Sequence, residues 1–203
     1  MNLTLMVTEF VTLFVIIDPI GLTPLFAALT QGMAAAQRRA IAIRACLIAA
    51  LILALFTFLG EAVLGFVGIS MPAFRIAGGI LLFLTALEML FEKRTKRRED
   101  QADERPDPSV FPLGIPLIAG PGSIATVILL AGEHEALTGR LGTWLVTVSV
   151  LAIMLVMFLG AGLLQRALGK TGINVVTRLL GMLLAALSVQ FVLDGLRAFG
   201  FAG

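Results

Sequence analysis

Two short segments rich in proline and glycine interrupt stretches of the chain that are otherwise apolar enough to cross a lipid bilayer. The first is Ile17-Asp18-Pro19-Ile20-Gly21, and the second, displaced by 102 residues, is Ala119-Gly120-Pro121-Gly122-Ser123. Proline lacks the backbone N–H and clashes with the carbonyl four residues before it, so each segment predicts a broken helix. Interrupted spans at matching positions in two halves of a chain are typical of a transporter's binding site.

The composition places the chain in a membrane. Apolar residues make up 59% of it and charged residues 14%, with a mean hydropathy of +1.02, whereas a soluble domain carries roughly a quarter charged residues. Since about 20 apolar residues cross the hydrocarbon layer, we predict a single all-α, polytopic transmembrane domain over residues 1–203. Its six predicted spans are 5–29, 41–63, 71–91, 111–132, 141–164 and 175–197.

The basic residues predict the orientation of these spans. Most of the lysines and arginines follow spans 1, 3 and 5, whereas the other side carries only Arg140 and Arg197, with Arg75 slightly inside span 3. By the positive-inside rule we expect a protein of the cytoplasmic (inner) membrane with both termini in the periplasm. The first span has no basic residues before its apolar core, so we expect it to be retained rather than cleaved as a signal peptide.

Matching motifs occur in the same order in the two halves of the chain. Phe58-Leu59-Gly60 corresponds to Phe158-Leu159-Gly160, and Arg75 with Gly78 corresponds to Arg178 with Gly181. We therefore predict a first repeat over 1–91, a cytoplasmic linker over 92–110 and a second repeat over 111–203. Because each repeat has three spans, the second enters the membrane from the opposite face, and this inverted symmetry suits alternating access.

The breaks in spans 1 and 4 are the candidate binding site. We expect the amides freed after each proline, at Ile20, Gly21 and Leu22 and at Gly122, Ser123 and Ile124, to favour an anion or carboxylate. The polar and backbone groups of the two breaks give the candidate substrate-binding residues, which are Asp18, Pro19, Ile20, Gly21, Thr23, Gly120, Pro121, Gly122, Ser123 and Thr126.

Asp18 is the single carboxylate at mid-membrane depth in the predicted spans. A charge at that depth costs several kcal/mol, which makes it a functional hypothesis. Asp18 is either a proton carrier that couples transport or the partner of a substrate ammonium group. The alternative is that it only caps the half-helix that begins at Pro19.

Other polar residues near the membrane surfaces have two interpretations. Gln190 and Asp194 share a face of span 6, with Arg197 beyond them, and could form an outer gate with Arg75 or Glu61, or a structural ion-pair cluster. Arg178 is a further gate candidate, although its position near the inner surface also suits snorkelling, as does that of Glu88. His134 stands between two glutamates in a predicted loop, where neighbours do not share a face, so we expect no metal site and no cofactor.

Several motifs resemble the MarC family of bacterial inner-membrane proteins. They are Asp18 to Phe26 (DPIGLTPLF), Phe74 to Ile80 (FRIAGGI), Pro116 to Gly122 (PLIAGPG), Thr177 to Gly181 (TRLLG) and Gln190 to Gly195 (QFVLDG). One branch of that family is similar to transporters of small neutral amino acids with cation coupling, and the wider superfamily resembles amino acid exporters. The resemblance implies that Gly21 and Gly122 hold the substrate carboxylate, with Asp18, Thr23, Ser123 and Thr126 nearby.

The leading hypothesis is therefore a secondary transporter of small neutral amino acids or similar zwitterions. The alternatives are a passive channel or an exporter of another small solute. An enzyme is disfavoured because the chain has no HExxH or GxSxG motif and no paired carboxylates at mid-membrane depth. The expected partners are a small-molecule substrate, protons and the lipid bilayer, and not nucleic acid.

Overall fold

A computed structural model describes residues 3–91, 107–134 and 136–201, and within them the chain forms only helices and their connecting turns. The helices are α1 (Leu3–Ile17), α2 (Pro19–Leu29), α3 (Ala35–Val67), α4 (Met71–Leu90), α5 (Ser109–Ile118), α6 (Pro121–Gly132), α7 (Leu137–Leu159) and α8 (Ala161–Phe199). In the described part of the chain, five spans are long and apolar enough to cross a membrane, α1 and α2 counting as one, and α5 with α6 gives a sixth. The prediction of an all-α polytopic membrane protein is confirmed, whereas the inverted relation of its halves stays a prediction.

Both predicted breaks are present, but they differ in shape. A single residue, Asp18, separates α1 from α2, and its φ of 57° and ψ of 62° lie in the left-handed region, which aspartate tolerates better than most side chains. The second break bends α5 against α6 by 53°. Phe111 and Ile115 inside α5 are extended because each precedes a proline, so α5 is an irregular, wide-turned segment.

Several helix ends differ from the prediction. Span 2, predicted as 41–63, is the longer α3, and span 5, predicted as 141–164, is α7. The helix ends at Gly160, between α7 and α8, and α8 is itself interrupted at Gly169, where φ is 61° and ψ is 175°, within the gap predicted between spans 5 and 6. Hydropathy detects the apolar part of a helix, whereas backbone hydrogen bonding continues into the polar residues beyond the hydrocarbon layer. Residues 92–106 of the predicted linker lie outside the described residues.

The helices pack around two apolar cores. The larger core joins α2, α3, α5 and α7, and the smaller one joins α4 and α8. α1 and α6 lie between them and contribute to both, Leu13 and Val127 to the larger core and Ile16 and Leu129 to the smaller one. The two broken spans are therefore held at the centre of the bundle.

Small residues bring α4 and α8 together. A Cβ atom added at Gly79 would lie only 2.8 Å from the backbone oxygen of Ser188 in α8. One added at Gly181 would lie 3.0 Å from the Cβ of Met89 in α4. The backbones of these two helices thus approach too closely for larger side chains at either position.

Candidate functional site

A cavity of about 920 Å³ extends from one end of the bundle to the break in the first span. We call this end the basic end, because the beginning of α3 and the first part of α8 place Arg38, Arg39, Arg166 and Lys170 there. α2, α4 and α8 form the walls of the cavity. Its lining comprises Asp18, Gly21, Pro24, Leu25, Ala27, Ala28, Gln31, Gly32, Arg38, Glu88, Met89, Gly162, Gln165, Lys170, Ile173, Asn174 and Thr177.

Asp18 lies at the closed end of this cavity and is fully buried. Its Oδ1 accepts a hydrogen bond from the Gly21 amide at 3.0 Å, and its backbone oxygen accepts one from the Leu22 amide at 3.0 Å. The capping role predicted for Asp18 is thus present. The prediction that the Gly21 and Leu22 amides are free is wrong, because the left-handed backbone of Asp18 turns its own oxygens towards them.

The absence of a side chain at Gly21 leaves room for the Asp18 carboxylate. A Cβ atom added at Gly21 would lie 2.2 Å from Asp18 Oδ2 and 2.8 Å from Asp18 Cγ. Both distances are well inside van der Waals contact, so any side chain at position 21 displaces the carboxylate. The glycine that suggested a backbone anion site is therefore required for packing against a carboxylate.

At the break in the second half, the side chains of Ser123 and Thr126 hydrogen-bond to backbone groups of the same segment. Ser123 Oγ accepts a hydrogen bond from the Gly120 amide at 2.9 Å and lies 2.7 Å from the Ile118 carbonyl oxygen, to which it donates. The Ile124 amide donates to the Gly120 carbonyl at 2.9 Å, so it is not free either. Thr126 donates to the Gly122 carbonyl at 2.8 Å.

The two breaks lie close together, but only the first of them lines the cavity. A Cβ atom added at Gly122 would lie 3.6 Å from Ile16 Cγ2, two residues before Asp18. Of the ten predicted binding residues, however, only Asp18 and Gly21 are among those that line the cavity. Thr23 is buried and donates to the Pro19 carbonyl at 2.7 Å. The second break therefore packs next to the first but does not itself line the cavity.

Among the described residues, three side-chain pairs join distant helices at the opposite end of the bundle, where α3 meets α4 and α6 meets α7. Arg75 Nη2 is 3.2 Å from Glu133 Oε1, and Arg140 pairs with Glu61. Glu9 Oε1 is 2.9 Å from His134 Nε2, and both side chains are largely buried. Each pair joins a residue of the first half of the chain to one of the second half.

The other candidate gate residues are not part of these pairs. Gln190 donates to Asp194 at 2.8 Å, and Arg197 lies 3.8 Å from Asp194, so these three form a cluster within α8. Arg178 precedes Gln190 by 12 residues on the same helix, or about 18 Å along its axis at 1.5 Å per residue. It therefore lies far from the end where Arg75 pairs with Glu133.

Sequence reasoning missed two groups of residues. The contact of Glu9 with His134 joins residues 125 apart, and the only signal for it was a carboxylate within an apolar span. The polar cavity wall formed by Gln165, Asn174 and Thr177 was also missed. Lys170, Asn174 and Thr177 follow the i, i+4, i+7 spacing of one helix face, a pattern that hydropathy alone does not mark.

The helices and the cavity define an integral membrane protein of several spans, and comparisons with known proteins identify its family. The model of the MarC family integral membrane proteins matches residues 3–199, so the chain belongs to this family. It is 37% identical over 198 residues to a UPF0056 membrane protein of Aquifex aeolicus, covering 95% of this chain and 92% of the relative. No solved structure matches the chain.

Two further relatives are similar over nearly their whole length. The UPF0056 membrane protein YvbG of Bacillus subtilis is 36% identical over 203 residues, covering 97% of this chain and 96% of the relative. The UPF0056 inner membrane protein YhgN of Escherichia coli is 36% identical over 194 residues, covering 92% of this chain and 93% of the relative. These names describe membrane proteins and specify no substrate.

Proposed function

We propose that this protein is a secondary transporter that moves small neutral amino acids, or similar small zwitterions, across the cytoplasmic membrane by alternating access. Protons are the candidate coupling ion. The observation that carries the proposal is the cavity that ends at the buried carboxylate of Asp18. Under this proposal the protein is not an enzyme, and the basic end faces the cytoplasm.

The size and chemistry of the cavity support a small polar substrate. Its volume of about 920 Å³ falls within the range of small-molecule sites, about 300–1,000 Å³. Two carboxylates line it, Asp18 and Glu88, together with the cations Arg38 and Lys170. A cavity with both signs of charge suits a substrate that carries both.

The side-chain pairs at the opposite end support alternating access rather than a continuous pore. The cavity is open towards the basic end, whereas the three pairs link the two halves of the chain at the other end. Opening that end requires the halves to separate there and the pairs to break. In an inverted-repeat transporter such a separation accompanies closure of the first cavity.

The proposal is tested by uptake of a panel of radiolabelled amino acids into proteoliposomes that contain the purified protein, measured at two pH values. The informative variant is Asp18→Asn. Asparagine tolerates the left-handed backbone and can still accept the Gly21 hydrogen bond, so this change removes the negative charge and the titratable proton while keeping the cap. We expect uptake by Asp18→Asn to lose its pH dependence.

Asp194→Asn serves as the matched control, because Asp194 is bonded within α8, away from the cavity. It should keep wild-type uptake and pH dependence. If uptake by Asp18→Asn remains dependent on pH, proton coupling through Asp18 is ruled out. The absence of saturable counterflow for every amino acid in the wild-type protein would refute the transporter proposal itself.

A further inference from the structure

One polar atom on the α8 wall of the cavity has no hydrogen-bond partner. Thr177 Oγ1 is buried, and no protein group accepts from or donates to it, whereas the hydroxyls of Thr23, Thr57 and Thr126 each donate to a backbone carbonyl four residues earlier. A buried hydroxyl without a partner costs free energy. Thr177 also lines the cavity, so rotation about its Cα–Cβ bond would turn the hydroxyl towards a ligand there, which would supply the missing hydrogen bond.

The neighbouring lining residues on α8 add hydrogen-bond donors to the same wall. Asn174 and Lys170 precede Thr177 by three and seven residues, so the three side chains lie along one face of the helix. They bring a hydroxyl, an amide and an ammonium group. Donors of this kind, one of them cationic, suit a carboxylate.

The opposite side of the cavity does not suit a carboxylate. The Gly21 and Leu22 amides are already bonded to oxygens of Asp18, and the nearby lining side chains include the carboxyl groups of Asp18 and Glu88. These two groups repel a substrate carboxylate and attract an ammonium group. The two walls are therefore complementary to the two ends of an amino acid.

We propose that Thr177, supported by Asn174 and Lys170, binds the carboxylate of the amino acid substrate, while the substrate ammonium group is directed towards Asp18. This proposal rests on the proposed transport of small neutral amino acids and assigns the orientation of the substrate. The site for the substrate carboxylate is therefore on α8, and not at the helix breaks as the sequence predicted.

Equilibrium binding to the purified full-length protein tests this orientation. The probes are L-alanine and L-alaninamide, which keeps the ammonium group but replaces the carboxylate with a neutral amide. The variants are Thr177→Val, which removes the hydroxyl with little change in volume, and Thr177→Ser, which keeps it. The control is Thr57→Val, because Thr57 is buried in α3 and does not line the cavity.

We expect the wild-type protein to bind alanine more tightly than alaninamide. A hydrogen bond to a charged group is worth enough to change affinity by about tenfold or more, so Thr177→Val should weaken alanine binding by that factor and reduce the preference for alanine over alaninamide. In Thr177→Ser and Thr57→Val, the alanine affinity and the preference for alanine over alaninamide should both stay close to wild type.

Two results would overturn the assignment while leaving transport intact. One is unchanged alanine affinity in Thr177→Val. The other is an equal loss for alanine and alaninamide, which would indicate a packing role. If the wild-type protein binds no alanine, no glycine and no other member of the amino acid panel, both the orientation and the proposed substrate class are wrong.

Discussion

Replacing Gly21 with alanine tests the link between the first helix break and the cavity. The added Cβ would lie 2.2 Å from Asp18 Oδ2, so the carboxylate has to rotate away from its place. The rotation breaks the 3.0 Å hydrogen bond between Asp18 Oδ1 and the Gly21 amide. Loss of such a cap costs about 1–2 kcal/mol, and the remaining steric strain adds to this.

The expected loss can be measured as a shift in melting temperature of the detergent-solubilised protein. For a chain of this size about 2 kcal/mol corresponds to about 4–8 °C. Gly162→Ala is the matched control, because Gly162 lines the same cavity and an added Cβ there meets no atom within 4 Å. We expect Gly162→Ala to shift the melting temperature little and Gly21→Ala to lower it and to reduce transport.

A double mutant isolates the clash from other effects of alanine. Asp18→Gly removes the carboxylate and suits the left-handed φ of 57° at this position. If the loss in Gly21→Ala comes from displacing Asp18, adding Gly21→Ala to Asp18→Gly should cost almost nothing more. Fully additive losses, or a Gly21→Ala protein as stable and active as Gly162→Ala, would refute the reasoning.

Two further predictions concern the ends of the bundle. Glu61→Arg places two guanidinium groups together at the opposite end and should expose a cysteine introduced at the buried Leu130 to a membrane-impermeant thiol reagent, in a chain whose native cysteine is replaced. Adding Arg140→Glu restores the pair and should restore protection; continued labelling of the double swap would argue against a gate there. At the basic end, Ser109, whose backbone amide donates to Asp107 Oδ1 at 2.9 Å, and the charge of Arg44 lower the pKa of Asp107. A carboxyl group with a lowered folded-state pKa stabilises the fold above its ordinary pKa, near pH 4, and loses this effect as the pH falls further. The melting temperature of the wild-type protein should therefore exceed that of Asp107→Asn at neutral pH, with the gap closing in acid; a gap that does not change with pH would contradict this.

The main features of the fold could be predicted from the sequence because lipid imposes strong rules. The lengths of the apolar stretches predicted the spans, and Pro19 and Pro121 predicted the two breaks, since proline removes a backbone donor wherever it occurs. The N-cap role of Asp18 followed from its place before Pro19. These are local effects, and local sequence is enough to predict them.

The contents of the site depended on contacts that local sequence does not encode. The use of the Gly21 amide by Asp18 follows from a left-handed backbone at one residue, and the sequence predicted the same amide to be free. The pairing of Glu9 with His134 and the position of Thr177 on the cavity wall follow from how distant helices pack. Hydropathy, moreover, gave the beginning of α8 as a loop, which concealed its polar cavity face.

The connection between α6 and α7 carries Glu133 and His134, which are adjacent in the chain and contact Arg75 and Glu9 respectively. Since neighbouring backbone atoms move together, a displacement of this connection strains its contacts with α1 and α4 at the same time. Under the proposed alternating access, opening of this end is therefore expected to break the contacts of Glu133 and His134 together.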